Sequence, residues 1–138
     1  IFGFTVEEKR RADGFEEDNP ALAVEWNLID AGITKDDCKN ALTAAGIALP
    51  AMYALGFDHN NCLGCVKATS PGYWNRVRRL FPEVFARRMW QSRLLGGRLA
   101  RVKNVRIFLD ELPPEADAPD DAIDCGPVCQ TSFDLGAA

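Results

Sequence analysis

The sequence predicts an α/β chain, with a few strands and flanking helices leading into a helical part held by four cysteines. Three observations predict it. Short apolar runs alternate with helix patterns that open on capping residues, two cysteine pairs stand far apart, and a dense basic block lies between the pairs.

Taken in order, IFGF (1–4) reads as a strand, and residues 5–19 read as a helix with Thr5 as N-cap and Glu8 three positions on. Asn19-Pro20 ends that helix, because the residue before a proline avoids helical geometry. A second strand is expected near 23–29, where Val24, Trp26, Leu28 and Ile29 fall, followed by a turn at Ala31-Gly32. Thr34 caps the next helix and Gly46 closes it, with Cys38, Ala41, Leu42 and Ala45 at helical spacing on an expected buried face. Residues 47–62 read as a helical turn and then a loop. From Tyr73 to Leu99 the apolar positions Trp74, Val77, Leu80, Phe81, Val84, Phe85 and Met89 predict helix, broken in two at Pro82. Trp74 fits that stripe as a core residue, and the competing reading is that Tyr73 and Trp74 stack on a base. VRIFLDEL (105–112) reads as strand or loop, PPEADAPDDAID (113–124) as a mobile linker, and CGPVC (125–129) as a tight turn.

The chain has 138 residues, 47% of them hydrophobic and 26% charged, which is ordinary globular composition. It contains no apolar run long enough for a transmembrane helix and no secretory leader pattern, so membrane partnership is not expected and a cytoplasmic location is. The first residue is Ile1, inside an apolar run, and the expectation is that further sequence precedes it. The net charge of −4 conceals a strong asymmetry: residues 1–66 carry 5 basic and 11 acidic groups, residues 67–106 carry 11 and 1, and residues 107–138 carry 0 and 8. Such a basic block suits phosphate, sulfate or a nucleic-acid backbone, and the acidic end can screen it.

Five cysteines stand at 38, 62, 65, 125 and 129. An odd count without a leader argues for an intracellular metal or redox site over a disulfide framework. Cys62 and Cys65 from one turn, with Cys125 and Cys129 from another, can complete a tetrahedron for zinc or the corners of a four-iron four-sulfur cluster. A redox disulfide is the competing reading. His59, the single histidine, lies three residues before Cys62 and is a candidate ligand or proton carrier. Lys67, Arg76, Arg78 and Arg79 follow the first pair closely, and Arg76 and Arg79 are helical neighbours able to grip one anion. There is no Walker loop, no Gly-x-Ser-x-Gly and no His-Glu-x-x-His, which removes the corresponding hydrolase and protease classes.

The stretch GITKDDCKNALTAAGIALPAMYALGFDHNNCLGCVKA, with YWNRVRRLFPEVF and RIFLDEL, resembles the C-terminal half of the phosphoadenosine phosphosulfate reductase family, in particular its phage-borne and bacterial branch. The resemblance covers roughly residues 1–130 and is most specific over 33–85. It implies a partial adenine nucleotide alpha hydrolase-like fold, a parallel sheet with helices on both faces, ending near residue 58, with a metal-binding helical region over 59–138. It further implies sulfur activation or transfer, or sulfonucleotide chemistry, with an adenine nucleotide or sulfonucleotide as the anionic partner. The family's Ser-Gly-Gly-x-x-Ser nucleotide loop is absent from this sequence, and CGPVC lacks the glutamate and histidine of the family's catalytic cysteine motif. By the resemblance Cys62, Cys65, Cys125 and Cys129 would hold a four-iron four-sulfur cluster, although the family's adjacent cysteine pair is missing and zinc stays open. The alternative is a metal-stapled module that binds nucleic acid or an acidic protein without catalysis.

Overall fold

The computed structural model describes residues 1–120. The chain divides into two compact units, Ile1–Leu49 and the residues from Pro50 onward. The expected boundary at 58/59 thus moves to 49/50, because Phe57 is buried in the second unit's core.

In the first unit Thr5 donates its N–H to the Glu8 carboxylate at 3.3 Å. The chain enters a 3₁₀ turn, Val6–Glu8, and then helix α1, Lys9–Asp18. Asn19 stops it, its side-chain amide donating to the Phe15 carbonyl at 2.9 Å. Residues 1–4 do not form the expected strand. Among the described residues one backbone bond, Phe2 N–H to the Glu25 carbonyl at 3.2 Å, ties them laterally. Their apolar side chains instead gather around Trp26: Phe4 stacks on it at 5.4 Å, Phe2 lies 5.4 Å away, and Phe15 of α1 meets it edge-on. The strand expected at 23–29 is also absent. Its second half winds into a single helical turn, α2, Asn27–Asp30. The turn is closed by Ile33 N–H to the Leu28 carbonyl at 2.8 Å. The alternation of Val24, Trp26 and Leu28 is overridden because Asp30-Ala31-Gly32 is a helix stop and no strand pairs with the segment among the described residues.

Helix α3, Lys35–Ala44, starts where expected. The Thr34 hydroxyl accepts from Asp37 N–H at 3.1 Å and the Asp37 carboxylate accepts from Thr34 N–H at 2.9 Å, a reciprocal cap. It closes with Ile47 N–H on the Leu42 carbonyl. Its expected buried face is not buried: Cys38 is half-buried, and Ala41, Leu42 and Ala45 are exposed.

The second unit opens with a helical turn, α4, Ala51–Ala54. A loop through the Cys62-Cys65 pair leads to helix α5, Pro71–Leu80, capped by Ser70. Pro82 breaks the rod as expected, Phe81 serving as the end of α5 and the start of α6, Pro82–Leu95. Strands β1, Ala100–Val102, and β2, Val105–Ile107, form an antiparallel hairpin. Lys103 and Asn104 carry positive φ of 48° and 66°, a two-residue turn whose twist matches the strands. A 3₁₀ turn, Leu109–Glu111, follows. The architecture is therefore mixed helix and strand, and the one sheet among the described residues is this antiparallel hairpin in place of the expected parallel strands. Trp74 (0% exposed), Val77 and Leu109 centre the core, with Phe57, Tyr73, Phe85, Ala100 and Leu112 around them. Among the described residues no helix is long and apolar enough to cross a membrane.

Candidate functional site

The Cys62-x-x-Cys65 segment is a closed turn. Cys65 N–H donates to the Cys62 carbonyl at 3.0 Å, and Ala68 N–H to the Cys65 carbonyl at 3.1 Å. Gly64 supplies the left-handed residue this reversal needs, at φ +69°. Residues three apart across such a turn lie close in space, so the two side chains can serve one ion. Cys62 is exposed and Cys65 buried.

Tyr73 holds the turn from behind. Its hydroxyl donates to the Cys62 carbonyl at 3.1 Å and accepts from Cys65 N–H at 3.0 Å, so one phenol fastens both cysteine backbones. Burial, the largest cause, pushes its pKa above the usual tyrosine value. From the other side Arg88 of α6 donates to the Gly64 carbonyl at 2.8 Å. The fastening role of neither residue was legible in the sequence. The available signal for Tyr73 was a tyrosine on the apolar face of an amphipathic helix, where a buried hydroxyl requires partners.

Cys125 and Cys129 lie outside the described residues, as does the CGPVC turn. Among the described residues no group of three or more cysteine, histidine or acidic side chains is placed to hold a metal. Two thiols on a preformed turn are the donor chemistry of half a zinc or iron-sulfur site, so the residues present fit that half. Cys38 belongs to the first unit. His59 is half-buried in the loop before the turn.

The four basic candidates separate. Lys67 and Arg79 are exposed. Arg76 pairs with Asp120 at 3.0 Å and lies 4.9 Å from the Phe57 ring centre, with side-chain exposures of 22% and 5% across the pair. Arg78 is a brace. Its guanidinium donates to the carbonyls of Leu109 and Leu112 at 3.0 and 2.9 Å, covers Phe85 at 4.5 Å, and has its pKa lowered by burial. Arg76 and Arg79 do share a cleft of about 320 Å³, as their spacing predicts, but its other wall is Glu115 and Asp117.

That wall corrects the expected mobile linker over its described part. Asn75 donates to the carbonyls of Pro113 and Ala116 at 2.9 and 2.7 Å, Ser70 donates to the Ala118 carbonyl at 2.9 Å, and Asp120 holds Arg76. The close approach requires glycine at 72, where a Cβ would stand 2.3 Å from both the Ala118 carbonyl oxygen and an Asp117 carboxylate oxygen. Prolines and acids signalled looseness, but proline-rich backbone leaves carbonyls free, and the side chains of α5 collect them. Asn75 Oδ1 is buried in this contact and has no hydrogen-bond partner among the described residues. The segment lies along the basic helix as a carboxylate-bearing strap.

No family model, curated protein or solved structure matches this chain.

Proposed function

We propose that this chain is the C-terminal, metal-anchored part of a phosphoadenosine phosphosulfate reductase-like protein, working in sulfur activation or transfer or in sulfonucleotide chemistry. The supporting observation is the Cys62-Cys65 turn, closed by its own backbone and fastened by Tyr73 and Arg88. A turn held this firmly is preorganised for ligation, since little ordering entropy is left to lose when a metal binds. Cys125 and Cys129 would supply the other two thiolates. On four thiolates zinc is a closed structural staple, whereas a four-iron four-sulfur cluster adds electrostatic or sulfur-carrying chemistry.

In this reading Arg76 and Arg79, with Lys67, form the rim that meets the anionic end of an adenine nucleotide or sulfonucleotide, and Arg78 keeps its structural post. An incoming phosphate or sulfate would compete with Asp120 for Arg76. The parallel sheet of an adenine nucleotide alpha hydrolase-like core and the Ser-Gly-Gly-x-x-Ser loop would be supplied from outside these residues. Residues 1–138 by themselves should therefore show no sulfonucleotide turnover, and robust reduction by them would contradict the assignment of the nucleotide site elsewhere.

Elemental analysis and an absorption spectrum of anaerobically prepared protein test the metal directly. Iron with a broad visible charge-transfer band supports the sulfur-chemistry lineage, and zinc supports the staple. Cys62→Ser should release the metal and lower the melting temperature together, because binding energy at such a site is folding energy. Metal content and melting temperature both unchanged would sink the shared site.

A further inference from the structure

In the folded chain the basic block separates into half-buried or ion-paired arginines and, around the hairpin, exposed cations with no carboxylate partner among the described residues. Arg76, Arg78, Arg88 and Arg93 each hold a partner inside the second unit. Arg98, Arg101, Lys103 and Arg106, on and beside the hairpin, form no ion pair with a carboxylate among the described residues. All four are exposed.

The hairpin register sets Arg101 directly across from Arg106. Val102 and Val105 flank the two-residue turn, so they form the hydrogen-bonded pair and the arginines the next, non-bonded pair, where facing side chains come closest. The backbone agrees: Arg101 N–H points away from β2 and donates to the Thr69 carbonyl at 2.8 Å. Ala100 and Ile107 turn to the core side, so the arginine pair occupies the solvent face. Like charges in that position repel and weaken a sheet. The fold keeps them and also orients them. Arg106 donates to the Leu99 carbonyl at 3.1 Å, and the Arg98 guanidinium stands 5.2 Å from the Phe108 ring centre.

We infer that the solvent face of this hairpin binds a nucleic-acid backbone, with Arg101 and Arg106 on one phosphate and Arg98 and Lys103 on its neighbours. The class follows from the arrangement. The cations are strung along a ribbon and do not converge on one pocket, which suits a polymer of phosphates better than one free anion, and a two-stranded ribbon is narrow enough for a major groove. Glu115 and Asp117 line a groove of about 430 Å³ beside Arg101 and Lys103 and oppose binding, so the site favours a ligand with many phosphates over one with few. None of these residues belongs to the cysteine set, and the two sites fail or stand separately.

The test is fluorescence anisotropy of the full chain with a labelled oligonucleotide, single-stranded and as duplex, between about 50 and 200 mM salt. Binding should weaken steeply with salt. Arg101→Gln with Arg106→Gln removes the contact to one phosphate, so the slope of log affinity against log salt should flatten by about 0.9 for duplex or about 0.7 for single strand. Arg10→Gln in the first unit should leave the slope unchanged. Arg101→Gln alone relieves the facing charges, so its melting temperature should hold or rise while affinity drops, which separates lost binding from lost folding. Glu115→Gln should tighten binding. No anisotropy change with either oligonucleotide at low salt overturns the inference, as does a slope unaltered in the double variant. Binding to anionic vesicles without binding to oligonucleotides overturns it in favour of a membrane surface.

Discussion

The two units keep their charges in different places. In the first, Lys9 pairs with Asp13, Arg11 with Glu8 and Lys39 with Asp36, each three or four residues along the chain. In the second, Arg93 reaches Asp110, Arg88 reaches Gly64, Arg78 reaches Leu109 and Arg76 reaches Asp120, separations of 17, 24, 31 and 44 residues. Local pairs on exposed helices add a few tenths of a kcal/mol each and say little about tertiary structure. Long-range guanidinium bonds to carbonyls close a core, because they satisfy backbone groups that folding takes out of water. Apolar burial follows the same division: Trp74, Val77 and Leu109 are wholly buried, while no residue of α3 is buried.

The largest break in that contrast should come from Trp74→Ala. It removes the centre of the second core and leaves the Ala68 carbonyl without its indole donor at 2.9 Å, a loss of about 3–5 kcal/mol. Trp26→Ala in the first unit opens a ring cluster already nearer solvent and should cost less. Urea unfolding followed by far-ultraviolet circular dichroism measures both. Equal losses would mean that the two units share one cooperative core and that the contrast is only apparent.

Arg78→Met sharpens the point about charge. Methionine keeps the aliphatic cover over Phe85 but cannot donate to Leu109 and Leu112, so about 2 kcal/mol should be lost, the scale of a charged hydrogen bond. Lys9→Met removes an equally visible ion pair from α1 and should leave the unfolding midpoint where it was. If both substitutions are silent, Arg78 is a surface charge and the brace has no energetic content.

The same distinction explains what could be read in advance. The helical turn after Thr5, the capped start of α3, the break at Pro82 and the burial of Trp74 all rest on signals within a few residues and appear where expected, although the chain passes through a 3₁₀ turn before α1 begins at Lys9. The strands at 1–4 and 23–29 needed a lateral partner that local pattern does not supply, and the aromatic cluster around Trp26 took their apolar residues instead. The acceptors of Arg76 and Arg78 lie dozens of residues away, so spacing alone could not tell the brace at Arg78 from a member of the proposed rim. The first half of the cysteine site was legible as a turn from Cys-x-Gly-Cys, but its fastening by Tyr73 was not, since a helical tyrosine at a core position serves equally well as plain packing.

The smallest effect belongs to the first unit's local electrostatics, and its pH dependence has a definite sign. The Asp37 carboxyl lies below its ordinary value of 3.8, first because the Thr34 hydroxyl donates to it and next because Thr34 N–H does. A carboxyl with a depressed folded pKa stabilises the fold above its unfolded value, and that contribution drains away as pH falls through the folded one. Acidification should therefore loosen the start of α3, read as faster amide hydrogen exchange there below about pH 4. Thr34→Ala should cost about 1 kcal/mol at neutral pH and should also remove most of this acid-side dependence, because the group that depresses the carboxyl is gone. A variant that is destabilised but keeps the wild-type pH slope would show that the cap and the titration are separate effects. It would then assign the depression at Asp37 to the field of the helix N-terminus instead of to its bond with Thr34.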